Sequence, residues 1–355
     1  MTRKTRRIIF YIFLLFFIVF VPTIIFYARG YSFDFEKKIF VATGGIYLKS
    51  YPQKADIYID SKENGKTNNF IKRLVPKVYN VKLVKENYHL WQKELVVKPW
   101  IVTKAEKIFL VPSNPKIFLI DQNEANQPLF KEQYSEKELI DIVKKSSKNK
   151  ILKINNFSHD LKGNKFYFIG DDNLYSLKIN QNNVASSSLS GPLVPSITNY
   201  TIYKDGIIYS EYYSEIIYEL DLTSLKSTPV FDQVFPSFNE GKWILSDDNK
   251  KLLCQKDKSV EILWLDDIDN SFLRKKGEIE KIIFTEKINN AIWYPRTDEH
   301  LIIATDSEIL ITELDNRTPR NTINFITTEK PEIKYDSKTS TLYFLSQEKL
   351  YQTEL

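Results

Sequence analysis

The chain has 355 residues, 43% of them hydrophobic and 27% charged, with a formal net charge of +5. That balance suits a globular protein and excludes a disordered one. Three histidines, one cysteine and ten glycines leave little for a zinc centre, a disulfide framework or a glycine-rich phosphate loop.

Residues 1–7 are a basic tag with Arg3, Lys4, Arg6 and Arg7, and residues 8–28 are one uncharged apolar run. As a helix this run is long enough to cross a hydrocarbon layer of roughly 30 Å. Basic residues on one flank keep that side in the cytoplasm. A single-pass cell-membrane protein is therefore expected, its N-terminus cytoplasmic and its C-terminal domains extracytoplasmic. A cleaved signal peptide wants a small residue three positions before the cut, and a cut after Ala28 would put Phe26 there. No cysteine follows the run directly, which excludes lipoprotein processing. Pro22 is tolerable in a membrane helix, where neighbouring groups re-satisfy the backbone. Only seven residues precede the span, which disfavours a sensor with a cytoplasmic output domain. The rest of the chain is close to neutral and lacks the dense basic stripe that nucleic-acid binding needs. Cys254 is the sole cysteine, so packed core alone must stabilise the outer part.

Residues 29–43 read as a juxtamembrane linker and residues 44–112 as a small antiparallel β-sandwich. Gly44 and Gly45 open it, and Ile46–Ser50 and Asp56–Asp60 alternate in the strand period. The polar stretch Glu63–Asn68 reads as the turn of a hairpin. Strands follow at Tyr79–Leu83, Leu90–Val97 and Ala105–Val111, with Pro52, Pro76 and Pro99 between them. Ser50-Tyr51-Pro52-Gln53-Lys54-Ala55, Ile57-Tyr58-Ile59-Asp60, Gly65-Lys66-Thr67, Tyr79-Asn80-Val81 and Glu86-Asn87-Tyr88 follow the order and spacing of a known family: this stretch resembles the PEGA domain. Gln53 and Lys54 replace the family's Glu-Gly, Asn68 replaces a proline, and Lys77 and Asn87 replace turn glycines. The resemblance implies a surface-exposed accessory β module with no catalytic residues to carry over.

Residues 113–150 read as a linker with a short helix, Tyr134–Ser147. Ser135 caps it, Leu139, Ile140 and Val143 form its apolar stripe, and the polar stretch Asp121–Pro128 precedes it. From residue 151 to 355 the chain repeats at about 40 to 48 residues, the length of a propeller blade. The units are Phe157–Lys178, Thr201–Asp221, Trp243–Asp266, Ile292–Asp315 and Ile333–Leu355. They resemble blades of TolB-type and WD-repeat-like propellers, best at Trp293-Tyr294-Pro295 with Leu301-Ile302-Ile303, and at Ser246–Leu253. The expected fold is mainly β: one transmembrane helix, a PEGA-like sandwich and a propeller of about five blades, six if residues 113–150 hold a degenerate one. The strand Lys116–Ile120 is expected to pair with the last blade and close the ring. A flat sandwich also fits the strand spacing.

His89, His159 and His300 lie far apart in sequence, and none has a His or Cys at ligand spacing. Asp171-Asp172, Asp247-Asp248 and Asp266-Asp267-Ile268-Asp269 read as turns whose side chains bond their own backbone. Asp267, Asp269, Ser271 and Glu278 hint at a calcium loop, but Phe272 stands where the sharp turn wants glycine. Tyr212, Tyr213, Trp243, Trp264 and Trp293 would serve either sugar stacking or blade cores. Asn156, Asn199 and Asn316 begin glycosylation sequons, which matter only in a host that modifies them. No catalytic, cofactor-binding or metal-ligating residue is assigned. The expected function is a non-enzymatic binding or scaffolding ectodomain of the cell envelope, presenting both β modules to glycan or protein partners. The alternative is an envelope glycan hydrolase or lyase using carboxylates on one propeller face. A carboxyl pair with a raised pKa in a pocket would mark it.

Overall fold

The computed structural model describes residues 3–35, 37–120, 135–148, 150–160, 165–180, 187–269, 273–295, 297–336 and 339–355. The polar stretch Asp121–Pro128, Tyr134, Ser271 and Phe272 lie outside them, as do the side chains of His159 and Asp269. The chain forms two compact units. The first takes the described residues up to Asn114 together with Glu313–Asn321, and the second takes the rest.

In the first unit, α1 (Arg3–Ala28) runs unbroken through the basic tag and the apolar run, and none of its side chains is buried. Pro22 removes one backbone donor, and the Thr23 hydroxyl bonds the Val19 carbonyl at 2.8 Å. Where a linker was expected, β1 (Tyr31–Asp34) and β2 (Ile39–Ala42) form an antiparallel hairpin. A seven-stranded sandwich follows: β3 (Gly44–Tyr51), β4 (Asp56–Ile59), β5 (Lys62–Lys66), β6 (Asn69–Leu74), β7 (Val78–Val84), β8 (Trp91–Val96) and β9 (Val102–Phe109). The sheets are ordered β5-β4-β7-β8 and β6-β3-β9. Alternation turns Ile57, Ile59, Val81, Leu83, Trp91 and Leu95 inward against Ile46, Leu48, Ala105 and Ile108.

Two expectations are corrected here, and one strand was not foreseen. The sandwich is not wholly antiparallel: β3 and β9 pair in parallel, because the chain crosses to the other sheet and back between them. Glu63–Lys66 is strand, not turn. The turn is Asp60-Ser61, with φ of 46° and 68°, the mirror-type hairpin geometry that matches strand twist. Strand β6 was not legible, since Asn-Phe-Ile-Lys-Arg-Leu has no clean alternation. The two replaced glycines separate: Asn87 takes a left-handed φ of 65°, which asparagine tolerates. Lys77 is not among the positive-φ residues, and its ammonium bonds Asp60 at 2.8 Å.

The second unit opens with β10 (Phe118–Leu119) and α2 (Glu136–Ser146). Ser135 and Glu138 close a capping box at the start of α2. Leu139, Ile142 and Val143 pack on Ile151, Phe166, Phe168 and Leu177. Ile142 takes the place expected of Ile140, because positions three and four residues on from Leu139 share its face.

Four consecutive antiparallel sheets of four strands follow. The first is β11 (Ile154–Asp160), β12 (Lys165–Gly170), β13 (Asn173–Lys178) and β14 (Ser188–Val194). The second is β15 (Ile197–Tyr203), β16 (Gly206–Glu211), β17 (Ile217–Asp221) and β18 (Ser227–Pro229). The third is β19 (Lys242–Leu245), β20 (Lys251–Gln255) and β21 (Ser259–Trp264), completed after the small hairpin β22 (Ile268–Asp269) and β23 (Leu273–Arg274) by β24 (Ile279–Ile283). The fourth is β25 (Ile288–Trp293), β26 (His300–Thr305), β27 (Glu308–Glu313) and β28 (Thr322–Thr327). A fifth, β29 (Glu332–Asp336), β30 (Thr341–Ser346) and β31 (Lys349–Glu354), takes β10 as its fourth strand: Phe118 pairs with Gln352 and Leu119 with Tyr351. Each expected repeat unit thus falls on the leading strands of one sheet. The second strands β12, β16, β20 and β26 are buried on both faces. Both faces then need apolar side chains, so these strands read as continuous apolar runs rather than alternating ones.

Candidate functional site

The first strands of the sheets lie at sheet edges, and Asn, Gln and Trp side chains bond some of the backbone groups there. Asn199 donates to the Gly241 carbonyl at 2.6 Å and Asn290 to the Ile333 carbonyl at 2.9 Å. Gln255 accepts from the Ala291 N–H at 3.1 Å, and the Trp293 indole donates to the Ile244 carbonyl at 3.0 Å. These bonds tie neighbouring sheets together and satisfy edges that would otherwise be open. Between them lies a cavity of about 1200 Å³, lined by Thr201 of β15, Lys242–Leu245 of β19, Asn290–Trp293 of β25 and Glu332–Tyr335 of β29, with the α2 cap Ser135 at its wall. Lys242, Asp247, Glu332 and Lys334 are its exposed charges.

The acidic pairs are held in turns. Asp171 takes the Lys153 amide at 2.8 Å and the Leu152 amide at 3.1 Å, and these bonds hold its carboxyl below the ordinary range. Asp267 takes the Lys276 amide at 2.8 Å and lies 3.6 Å from the Lys275 ammonium. Among the described residues, no three His, Cys, Asp or Glu side chains gather to hold a metal ion.

Asp248 belongs to a denser group. Burial pushes its carboxyl up, but the Ser246 hydroxyl at 2.6 Å, the Lys250 amide at 3.0 Å and the Lys251 ammonium at 3.1 Å outweigh that and hold it low. Asp298, which accepts the Asp248 amide at 3.1 Å, is pushed up by burial and by the Asp248 charge. Lys251 is wholly buried, with Glu299 at 4.0 Å and the Trp293 ring 5.9 Å away. This pair of carboxyls has opposed shifts, yet neither Asp248 nor Asp298 lines the cavity.

The remaining candidates divide between the cavity, the core and the surface. His89 is half-buried on its turn, and His300 is buried, its ring 3.3 Å from the Thr297 hydroxyl and against Tyr294. Trp243 and Trp293, 6% and 7% exposed, both line the cavity, Trp264 is core at 1% exposure, and Tyr212 and Tyr213 stand edge to face on the surface. Asn199 is buried, and its amide bond to Gly241 leaves no room for a glycan; Asn156 and Asn316 are exposed. Cys254 is buried against the Glu240 carbonyl, and burial pushes its thiol up to about 12.

Sequence reasoning missed Lys93. It sits between Trp91 and Leu95 in the inward register of β8 and is wholly buried. Its ammonium meets the Glu313 carboxylate and the carbonyls of Asp315 (2.8 Å), Arg317 (2.8 Å) and Pro319 (3.1 Å). Glu313 also accepts the Trp91 indole at 3.1 Å and the Asn321 amide at 2.6 Å. Burial pulls Lys93 down and pushes Glu313 up, against their mutual attraction. The segment Glu313–Asn321 also runs along the edge of β8, where Gln92 bonds Asn321 and the Glu94 amide reaches the Thr318 carbonyl. It covers an edge that would otherwise pair with other chains. A lysine in a core register is the one sequence signal that pointed to it.

Residues 43–109 match the PEGA domain family. No curated protein matches the chain. Among solved structures, the extracellular domain of BT4673 from B. thetaiotaomicron aligns at 10% identity and a TM-score of 0.38, over 57% of this chain and 27% of that one. The Cps50 (Swd1) β-propeller domain of Myceliophteria thermophila aligns at 13% identity and a TM-score of 0.37, over 54% of this chain and 66% of that one. This chain thus spans about a quarter of the BT4673 chain and about two thirds of the other.

Proposed function

We propose that this is a single-pass membrane protein whose PEGA module and second unit lie outside the cytoplasm as a non-enzymatic binding or scaffolding ectodomain of the cell envelope. In this reading α1 is the anchor, Arg3, Lys4, Arg6 and Arg7 keep its start in the cytoplasm, and the five sheets are the blades of a propeller fastened by β10. The cavity of the second unit carries the reading. At about 1200 Å³ it exceeds the ~300–1000 Å³ of ordinary small-molecule sites. Its charged rim and strand edges suit a polymer rich in hydroxyl or amide groups, such as an envelope glycan or a protein segment. The test is a pull-down with the full chain in lipid nanodiscs, challenged with isolated envelope glycans and solubilised envelope proteins and assayed for glycan turnover. Retention without turnover is expected, and reversing Lys242 and Lys334 to glutamate should cut it about tenfold or more, roughly 1.4 kcal/mol. Turnover would overturn the reading.

A glycan hydrolase is the second reading: Asp248 and Asp298, joined by the Asp248 amide at 3.1 Å, have opposed shifts, the pattern of an acid and base pair, at a place outside the cavity lining. It requires that Asp298→Asn abolish turnover while retention persists.

A further inference from the structure

The first unit carries an exposed aromatic shelf at the C-terminal end of α1. Phe26 of α1 stacks on Phe40 and meets Tyr31 edge to face, Tyr31 meets Trp100, and Phe40 meets Phe33, which meets Phe35. Phe35 is 83% exposed and Trp100 60%, with Ile39, Phe40 and Ile101 all above half. Soluble surfaces seldom leave such a patch uncovered.

The shelf is fastened to the helix. Only Arg29 and Gly30 separate α1 from β1. The Gly30 carbonyl accepts both the Thr43 amide at 2.9 Å and the Thr43 hydroxyl at 2.7 Å, and the Thr43 carbonyl accepts the Trp100 amide at 3.0 Å. Gly30 has φ of +80°, and a Cβ there would stand 3.2 Å from the Trp100 ring. Arg29, Lys37 and Lys38 are exposed around the shelf, and the Arg73 guanidinium lies over the Tyr27 ring, 3.3 Å from its centroid.

We propose that this shelf lies in the headgroup layer of the membrane that α1 spans, so that the bilayer itself holds the first unit against its surface. The inference rests on α1 being an anchor. A bilayer is favoured over a second copy because the shelf continues directly from the apolar helix. Its composition, aromatic rings rimmed by cations, is also that of a water–lipid boundary facing anionic headgroups.

The chain supplies its own probe. Trp91, Trp243, Trp264 and Trp293 are at most 7% exposed, so Trp100 is the tryptophan open to a quencher. The full chain is reconstituted in phosphatidylcholine–phosphatidylglycerol vesicles whose acyl chains carry bromine either near the headgroup or deep. Anchoring is read separately by resistance to alkaline carbonate. The expected result is a carbonate-resistant chain whose tryptophan emission is quenched more by shallow than by deep bromine, with Trp100→Phe removing that quenching. A carbonate-resistant chain with unquenched emission, or with quenching that survives Trp100→Phe, overturns the proposal and leaves the anchor standing. Release by carbonate overturns both. Unquenched emission together with cross-linking between copies through Phe35→Cys assigns the shelf to a second copy instead.

Discussion

Lys93 shows how one residue can be placed by chemistry that its neighbours in sequence do not announce. Replacing it with methionine keeps the volume but leaves Glu313 buried without its cation, a loss expected to cost about 3–5 kcal/mol. Adding Glu313→Gln, which keeps the acceptor for Trp91, should recover most of that, and urea unfolding of the single and double variants measures the coupling. Asp298 behaves in the opposite sense. Its carboxyl is raised above 3.8 in the fold, so the stability it lends is present below that value and lost as pH rises through the raised one. Asp298→Asn should therefore be as stable as the native chain or more so at neutral pH, with a flatter profile above about pH 4 in thermal melts. Cys254, with its thiol near 12, should resist a thiol reagent at pH 8 in the folded chain and react once when urea is added.

Strands were legible wherever one face is buried and the other wet, as at Ile57-Tyr58-Ile59 and Tyr79-Asn80-Val81, because period two survives there. Strands β12, β16, β20 and β26 were legible for a different reason: both faces are buried, so they read as unbroken apolar runs. Strand β5 escaped because Lys-Glu-Asn-Gly-Lys pairs through its backbone with no inward side chain and its composition reads as turn, and β6 because Asn-Phe-Ile-Lys-Arg-Leu does not alternate. The hairpin β1–β2 escaped because its rings pack on α1 and Trp100, a contact that local pattern does not encode. The cavity was invisible for the same reason: its walls come from four strands spread from Thr201 to Tyr335. Gly44 marks a place where an element admits no side chain. A Cβ there would stand 2.3 Å from the Lys98 carbonyl oxygen. Gly44→Ala must push β3 away from the segment before β9, and its loss of stability should exceed 1 kcal/mol by chemical unfolding, about the scale of a strained backbone site.

At the scale of the whole second unit, a strand from its beginning completes a sheet from its end. The Ile120 amide bonds the Leu350 carbonyl at 2.9 Å, next to the Phe118–Gln352 pairing. Ile120→Pro removes that donor and opens the edge of β31. The expected outcome is a lower melting temperature for the second unit and faster proteolysis at the chain's end, both measurable on the full protein.

The ion pair that closes the first unit also imposes an order on its making. Lys93 and Glu313 are 220 residues apart, and at about 5–20 residues per second a ribosome needs roughly 10–40 s to cover that interval. During that time the N-terminal sandwich has its strands but not the acid that neutralises its buried lysine, nor the segment that shields its open β8 edge. The nascent module therefore stays uncovered until Glu313–Asn321 has been made. Any factor that meets this chain as it emerges would find β8 as its natural handle.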